Sequence, residues 1–561
     1  MKALKNFCSL VFVMLLVCGA ACAENFVPEQ PLMYADELRP GMTGYALTVL
    51  RGTEPEKMPV KIVSVIPQRA SAVMTEKILI KFTGKHRLAQ GMSGSPVFVK
   101  NKLVGAIRSG WDNSDQSFAI VTPIEAMLRI FNGEELGVRG EELKKLNVSV
   151  TGLGANSLPR LSKALGLNVT QGVASGAGPL EVRDEKFRPG EAVAAMLAWG
   201  DVEISASGTI TATAKDGKFL AFGHDFLNRG RTVYPAAKVF VHETVDSYSF
   251  PFKIASPVSI NGIITQDREA AIGGRAGVFP PSFSAELNFK NLDTNRQNRY
   301  SFRVVADEFL TANLIEEIYK GLIAEAWGRK GQGTMDVSLR IEGRNIRNGF
   351  ARRDIFFSDE DIVEEAFGDT AEMIGMYLTQ PFTETMPSGF VLNVEATERP
   401  KVLRIEDVET VAKAKPGDEI DVRIKLREWR AGTTEKVVKM KIPERASGSL
   451  TLIVRGGNVE PMTQLAIEDG SKSVDSLERM LTELKAADAG NELIIELNGD
   501  LVGEVLKKVL NDDEAKNEAS EPESEFLSEM KERRIDEGTL KIFGTDFFVD
   551  GMMRRVIDVE K

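Results

Sequence analysis

The chain contains very little cysteine and histidine. Its three cysteines all lie within the first 22 residues, and only three histidines occur among 561 residues. If the N-terminal segment is removed on export, the remaining chain has neither a disulfide nor a thiol nucleophile. No histidine pair has the spacing of a zinc-binding motif. We therefore expect no bound metal and no other cofactor.

Clusters of basic residues are also missing. The formal charge is -11 at pH 7, and no long run of lysine and arginine occurs. A nucleic-acid partner needs a basic face, so we expect none. Beyond the N-terminus, no segment reaches the ~18 apolar residues of a membrane helix, and we expect no transmembrane segment after signal cleavage.

The first 23 residues have the layout of a cleaved secretory signal. Lys2 and Lys5 precede a short apolar run, and Ala21-Cys22-Ala23 supplies small residues before a cleavage site. A lipoprotein signal that makes Cys22 the new N-terminus is the alternative, although the usual leucine is missing before it. We predict an exported protein, periplasmic or extracellular.

Changes of composition and of apolar period divide the chain into modules. The expected order is a signal peptide at 1–23, a serine-bearing β-rich unit at 32–135, a connector with little regular pattern at 136–195, a histidine-bearing β-rich unit at 196–300, an α+β module at 301–400, a β-sandwich-like module at 401–460, a helix-strand segment at 461–510, an acidic linker at 511–525 and a C-terminal tail segment at 526–561.

Local patterns predict several elements within these modules. Asp216-Gly217 between two apolar runs indicates a hairpin. Apolar residues at helical spacing predict a helix over 311–327. Thr122, Pro123 and Glu125 predict a helix start, with the threonine as cap, the proline in the first position and the glutamate completing a capping box.

Gly91-Met92-Ser93-Gly94-Ser95-Pro96 is the most informative segment. It lies between an alternating apolar run at 78–82 and a predicted hairpin at 97–107. The glycines allow unusual backbone dihedrals and leave room for a substrate carbonyl, and backbone N–H groups of such a turn can face a developing oxyanion. An ordinary β-turn of small residues fits the same six residues.

A serine nucleophile needs a base, usually histidine. His224 follows Gly223 at the end of a predicted strand, where a loop can project it into a cleft. His86 lies in a charged stretch and is expected to be solvated. His242 ends an apolar strand and is expected to be structural. His224 is therefore the candidate base, with a structural role as the alternative.

A catalytic triad also needs a carboxylate that orients the imidazole. Adjacent residues of an extended segment point to opposite sides, so Asp225 is poorly placed to orient His224. Glu243 is a second nearby acid. Asp267 follows an apolar run and is the tentative third member. A surface ion pair with Arg268 or a turn position is the alternative for Asp267.

These residues resemble the SpoIVB family of serine peptidases over roughly 32–290. Besides the serine motif, the resemblance includes 41–46, 48–49, 52–53, 102–106 and 122–127 in the first unit, and 208–211, 222–224 and 267–268 in the second. The family implies a trypsin-like double β-barrel, so that we expect a mainly β chain in which this barrel pair is followed by α+β and β-sandwich-like modules. It also implies Ser93 as nucleophile, His224 as base, and an oxyanion hole formed by the N–H groups of Gly91 and Ser93.

The sequence departs from the family pattern in three ways. The serine unit precedes the histidine unit, no PDZ-like segment separates them, and the aspartate that relatives carry just before the serine motif is missing. Two functions therefore stay open. We predict an exported serine endopeptidase that cleaves a protein or peptide substrate in the cell envelope. The alternative is an inactive pseudo-peptidase, a peptide-binding or scaffold protein. In either case the C-terminal modules could contact an envelope protein.

Overall fold

The mainly β class predicted from the sequence is confirmed by the computed structural model. The structure describes residues 26–70, 73–132, 147–173, 180–247, 250–343, 346, 349–384, 389–458, 474–499 and 526–560. The chain forms two compact units. Unit 1 comprises Met1–Gly152, Leu161–Pro281 and Val305–Asp307, and unit 2 comprises Leu153–Arg160, Ser282–Val304 and Glu308–Lys561. The predicted signal peptide and acidic linker lie outside the described residues.

The first part of unit 1 is a closed barrel. Its strands are β1 (Thr43–Thr48), β2 (Glu56–Ala70), β3 (Val73–Phe82), β4 (Pro96–Val99), β5 (Lys102–Ser109) and β6 (Phe118–Pro123). They pair in the order β1-β2-β3-β6-β5-β4, and β1 pairs with β4 to close the ring. Alternating apolar residues such as Ile62, Ile80 and Val97 point inward and form its core. A 3₁₀ turn at Ala35–Glu37 precedes the barrel.

The helix that follows this barrel starts differently from the prediction. Helix α1 spans Ile124–Leu128, with Pro123 as its N-cap and no side-chain cap, and a 3₁₀ turn at Arg129–Asn132 follows. The Glu125 carboxylate accepts the distant Ala35 N–H (3.1 Å), and the Thr122 hydroxyl donates to the Gly223 carbonyl (2.5 Å). The predicted capping box is therefore wrong, because tertiary partners bind both side chains.

The second part of unit 1 forms another ring of strands. In chain order, the elements between 147 and 276 are β7 (Asn147–Thr151), a 3₁₀ turn (Ala155–Ser157), α2 (Leu158–Leu165), β8 (Asn168–Gln171), β9 (Glu181–Val182), β10 (Ala192–Gly200), β11 (Glu203–Thr213), β12 (Lys218–Ala221), β13 (Gly230–Val245), β14 (Phe252–Arg268) and β15 (Ala271–Ala276). The 3₁₀ turn and the first residues of α2 belong to unit 2. Pairing runs β10-β13-β14-β15-β12-β11, and β11 pairs again with β10. Unit 1 is thus a double barrel. The expected connector at 136–195 contains regular elements, which its mixed sequence pattern did not indicate.

Unit 2 begins with a mixed sheet. Its elements are β16 (Ser282–Asn291), β17 (Gln297–Val305), α3 (Thr311–Trp327), β18 (Gly333–Glu342), β19 (Phe350–Ser358), α4 (Ile362–Glu365), α5 (Gly368–Thr379) and β20 (Gly389–Thr397). The strand order is β19-β18-β20-β16-β17. The predicted helix over 311–327 is confirmed, and its Tyr319 hydroxyl lies 3.3 Å from the carbonyls of Glu286 and Phe390 on two of the strands.

The rest of unit 2 contains two further sheets around one core. Its elements are β21 (Val402–Glu409), β22 (Lys413–Ala414), β23 (Glu419–Glu428), β24 (Thr433–Lys441), β25 (Gly448–Gly456), α6 (Leu477–Ala486), β26 (Glu492–Gly499), α7 (Leu527–Asp536), β27 (Leu540–Gly544), β28 (Phe548–Asp550) and β29 (Met552–Val559). Val422 of one sheet and Leu452 of the other belong to the shared core. Because β28 and β29 join different sheets, the sandwich extends far beyond the expected 401–460.

Candidate active site

The serine motif forms a tight turn that main-chain hydrogen bonds hold in place. The Ser95 N–H donates to the Met92 carbonyl (2.9 Å), and the Gly94 N–H donates to Ile107 on β5 (2.8 Å). Gly91 and Gly94 have φ of 88° and 91°, a region that side-chain-bearing residues rarely adopt. Glycine therefore occupies positions 91 and 94 because the turn requires a backbone conformation that other residues rarely adopt.

The second barrel supports this turn through strand β11. The Thr209 N–H donates to the Ser93 carbonyl (2.8 Å), and the Thr209 hydroxyl donates to the Gly91 carbonyl (3.1 Å). The Thr211 hydroxyl donates to the Gly94 carbonyl (2.7 Å). A Cβ atom at Gly94 would lie 2.1 Å from the Thr209 oxygen, so the two segments pack backbone against backbone.

The turn leaves two N–H groups available. Within the described part of the chain, neither the Gly91 N–H nor the Ser93 N–H has a hydrogen-bond acceptor. Both residues are half-buried, so these N–H groups can donate to a bound substrate. These are the two groups that the family resemblance implies for the oxyanion hole.

The two serines of the motif differ in access. Ser93 is half-buried, and its hydroxyl donates a long hydrogen bond of 3.4 Å to the Arg108 carbonyl. Ser95 is fully buried, and its hydroxyl faces Thr209. Rotation about one side-chain bond can redirect the Ser93 hydroxyl. Ser93 is therefore the serine that a substrate can reach.

His224 follows a strained turn and carries its proton on a defined nitrogen. Phe222 and Gly223 before it have φ of 67° and 68°. The imidazole Nδ1 lies 2.5 Å from the main-chain carbonyl of Asp225. A carbonyl only accepts, so we assign the proton to Nδ1, which leaves Nε2 as the basic nitrogen. No group among the described residues hydrogen-bonds Nε2, so it can accept a proton.

Burial controls the acidity of this histidine. His224 is 7% exposed, and burial together with the nearby Arg108 charge lowers its pKa to about 4. The hydrogen bond to the Asp225 carbonyl and the Asp225 charge act in the opposite direction. At neutral pH the ring is therefore neutral and able to act as a base, but its protonated form is disfavoured.

Asp267 lies on β14 beneath the histidine loop rather than beside the imidazole. Its buried carboxylate accepts the N–H groups of Phe226 (2.6 Å), Leu227 (2.8 Å) and Arg229 (3.4 Å). Burial raises its pKa despite these donors. In the described structure it does not hydrogen-bond His224, so the carboxylate expected to orient the ring instead fixes the following loop.

Two side chains missed by the sequence interpretation bind the residue before His224. The Gly223 carbonyl accepts the Thr122 hydroxyl (2.5 Å) and the Arg108 guanidinium (3.4 Å). Arg108 thus contacts the histidine segment with its side chain and Ser93 with its carbonyl. No local pattern distinguishes these residues, because Thr122 resembles a helix cap and Arg108 a strand residue.

The other histidines lie outside this cluster. His242 Nε2 contacts the Ser256 hydroxyl (3.0 Å) in the second barrel, as expected for a structural histidine, and His86 is half-buried near the end of β3. The described residues contain no cluster of three metal-ligating side chains. Within that same part of the chain, no helix has the length and apolarity needed to cross a membrane.

Comparison with known proteins identifies the serine-bearing segment. Residues 20–128 match the SpoIVB peptidase S55 family. The predicted resemblance is confirmed for this segment, which includes Ser93 and the whole first barrel. His224 and Asp267 lie outside the matched residues. No curated protein and no solved structure matches the chain.

Proposed function

We propose that this protein is an exported serine endopeptidase that cleaves protein substrates by acyl transfer through Ser93, with His224 as the base. The observation that carries this proposal is the turn at 91–95, which presents one accessible hydroxyl beside two N–H groups that find no acceptor among the described residues. This turn lies inside the segment that resembles SpoIVB peptidases. The proposal for export rests on the signal-like first 23 residues.

The proposed reaction begins when the Ser93 hydroxyl turns from the Arg108 carbonyl toward His224 Nε2. Its oxygen attacks the peptide carbonyl carbon while Nε2 takes the proton, and the oxyanion accepts hydrogen bonds from Gly91 and Ser93. The His224 imidazolium then donates that proton to the departing amine as the C–N bond breaks. Water hydrolyses the acyl-enzyme by the same steps in reverse order.

The Asp225 carbonyl replaces a triad carboxylate in this mechanism. It keeps the proton on Nδ1, as the aspartate of a triad does, but it is neutral and stabilises the imidazolium less. The low pKa of His224 has the same consequence. General bases are most effective when their pKa lies near the working pH, so we expect a slow peptidase.

A second candidate function is a peptide-binding pseudo-peptidase. The observation in its favour is that the Ser93 hydroxyl donates to Arg108 rather than to His224. Catalytic hydrogen bonds often form only when substrate binds, so this geometry is compatible with both functions.

A fluorophosphonate probe, which phosphonylates activated serines, distinguishes the two. We expect labelling of the wild-type protein and of Ser95→Ala, and none of Ser93→Ala. His224→Gln should slow labelling by about 100-fold, within the range of general-base contributions. If folded wild-type protein is not labelled, the peptidase proposal is wrong and the pseudo-peptidase is favoured.

A further inference from the structure

A half-buried lysine contacts the serine turn from the second barrel. Lys253 lies near the start of β14, and its ammonium donates to the Thr48 hydroxyl (2.8 Å) and the Gly91 carbonyl (3.1 Å). No ion pair of Lys253 with a carboxylate occurs in the described structure, and burial lowers its pKa to about 7. Removing an ammonium group from water without a counter-charge is unfavourable, so the position of the Lys253 side chain requires an explanation.

The main chain of the same residue binds the preceding peptide group. The Lys253 N–H donates to the Gln90 carbonyl (3.1 Å), and the Gln90 N–H donates to the Pro251 carbonyl (2.8 Å). In a trans peptide the C=O and the following N–H point in opposite directions. The Gln90 carbonyl faces Lys253, and the Gly91 N–H in the same peptide plane must therefore point away from it.

The lysine stem also limits the space around Gly91. A Cβ atom at this glycine would lie 3.1 Å from Cδ and 3.4 Å from Cβ of Lys253. Gly91 has a positive φ, so either flanking peptide could rotate if nothing held it. Lys253 binds the carbonyls of both peptides, one through its main chain and one through its side chain.

We propose that Lys253 is a positioning residue for the oxyanion hole. Its main-chain N–H holds the Gln90–Gly91 peptide, which carries the Gly91 N–H, and its side chain holds the Gly91–Met92 peptide on the other side of the same Cα atom. The inference rests on the function proposed for Ser93. Lys253 does not serve as the base, because its ammonium contacts Thr48 and Gly91 and not the Ser93 hydroxyl. Its side chain and the Thr209 hydroxyl both donate to the Gly91 carbonyl and together resist rotation of the Gly91–Met92 peptide.

The test compares Lys253→Met with Thr48→Val. The methionine keeps the length of the stem and the main-chain bond to Gln90, but it removes the side-chain bond to the Gly91 carbonyl and so releases the Gly91–Met92 peptide. The valine removes only the other partner of the ammonium. Fluorophosphonate labelling, followed as a function of probe concentration, separates probe binding from the chemical step. Loss of one oxyanion-hole donor lowers kcat by about 100- to 1000-fold, and a misdirected donor should lower the rate of the chemical step by about 10-fold.

We expect Lys253→Met to lower the maximal labelling rate about 10-fold, while the probe concentration that gives half of this rate changes by less than twofold. Thr48→Val should label within threefold of wild type. A crystal structure of Lys253→Met should show a rotated or mixed Gly91 carbonyl. Equal labelling rates of Lys253→Met and wild type, or equal losses in both variants, would overturn the proposal.

A measurement on the wild-type protein keeps the inference testable if Lys253→Met does not fold or if no labelling occurs. If the wild-type protein is not labelled, the proposed peptidase function is wrong. The orientation of the backbone can still be measured by residue-resolved hydrogen exchange. The Lys253 amide should exchange slowly because Gln90 accepts it, and the Gly91 amide should exchange at least 100-fold faster. Comparable protection of the two amides would show that Gly91 is not held in this orientation.

Discussion

The serine turn and the histidine loop are held in place by different kinds of interaction. Main-chain hydrogen bonds from both barrels and close backbone packing fix the turn around Ser93. The loop after His224 depends on one buried carboxylate, that of Asp267, which accepts three N–H groups. The turn of the nucleophile is thus fixed by many contacts from both barrels, whereas the loop after the base depends on a single carboxylate. The two sites should consequently respond differently to substitution.

The largest expected effect tests the backbone packing of the serine turn. In Gly94→Ala, the new Cβ would lie 2.1 Å from the Thr209 oxygen and 2.3 Å from the Phe222 nitrogen. We expect a loss of more than about 4 kcal/mol in the free energy of unfolding, measured by urea denaturation. Gly52→Ala is the matched control, because Gly52 also has a positive φ but no atom within 4 Å of the added Cβ.

The control, Gly52→Ala, should lose only about 1–2 kcal/mol in the free energy of unfolding, which is the cost of a left-handed backbone conformation for an L-residue. Similar losses in Gly94→Ala and Gly52→Ala would mean that the barrels do not approach as closely as described.

The next prediction concerns the carboxylate beneath the histidine loop. Asp267→Ala leaves buried N–H groups without an acceptor and should destabilise the protein by about 3 kcal/mol. Probe labelling of Ser93 should fall more than 10-fold at a temperature where the variant remains folded. Asp225→Ala keeps the main-chain carbonyl that binds His224 Nδ1, and its labelling should stay within threefold of wild type. A larger effect at Asp225 than at Asp267 would contradict this assignment.

A smaller effect is expected from pH. Because the base must be unprotonated and the pKa of His224 is lowered to about 4, labelling should be constant above this value and fall as pH decreases through it. Between pH 7.5 and 5.5 the labelling rate should change less than twofold. An unperturbed histidine would lose about 10-fold over this range, since its pKa is about 6.5. A 10-fold loss would show that the base is not the buried imidazole.

The smallest effect is expected at Glu243, the remaining acid that the sequence places near the histidines. Its side chain is exposed and lies 3.9 Å from the exposed Arg51 guanidinium. Exposed ion pairs contribute little to stability. Glu243→Gln should change neither the labelling rate by more than twofold nor the urea midpoint detectably. A clear loss of labelling would require a catalytic contact that the geometry lacks.

The sequence alone indicated the β-rich units and the serine motif. The alternating apolar run at 78–82 predicted one strand of the first barrel, because one face of such a strand must be buried, and the hairpin predicted at 97–107 corresponds to β4 and β5. Glycines at 91 and 94 indicated the turn, since few other residues adopt a positive φ. The position of His224 after a predicted strand, supported by the family resemblance, distinguished it from the other two histidines. These features depend on residue type and short spacing, which a sequence records directly.

Long-range contacts decided the rest. Asp267, Thr122 and Lys253 are ordinary strand or helix-flanking residues in the sequence, and their partners Phe226, Gly223 and Gly91 lie 41, 101 and 162 positions away. Nor did the sequence reveal that a main-chain carbonyl would orient the imidazole, because every residue carries one. A hydrogen bond to a main-chain carbonyl does not depend on the side chain of the acceptor residue, so the sequence does not record it. For this reason, the sequence determined which residues could react, and only the packed barrels decided which groups position them.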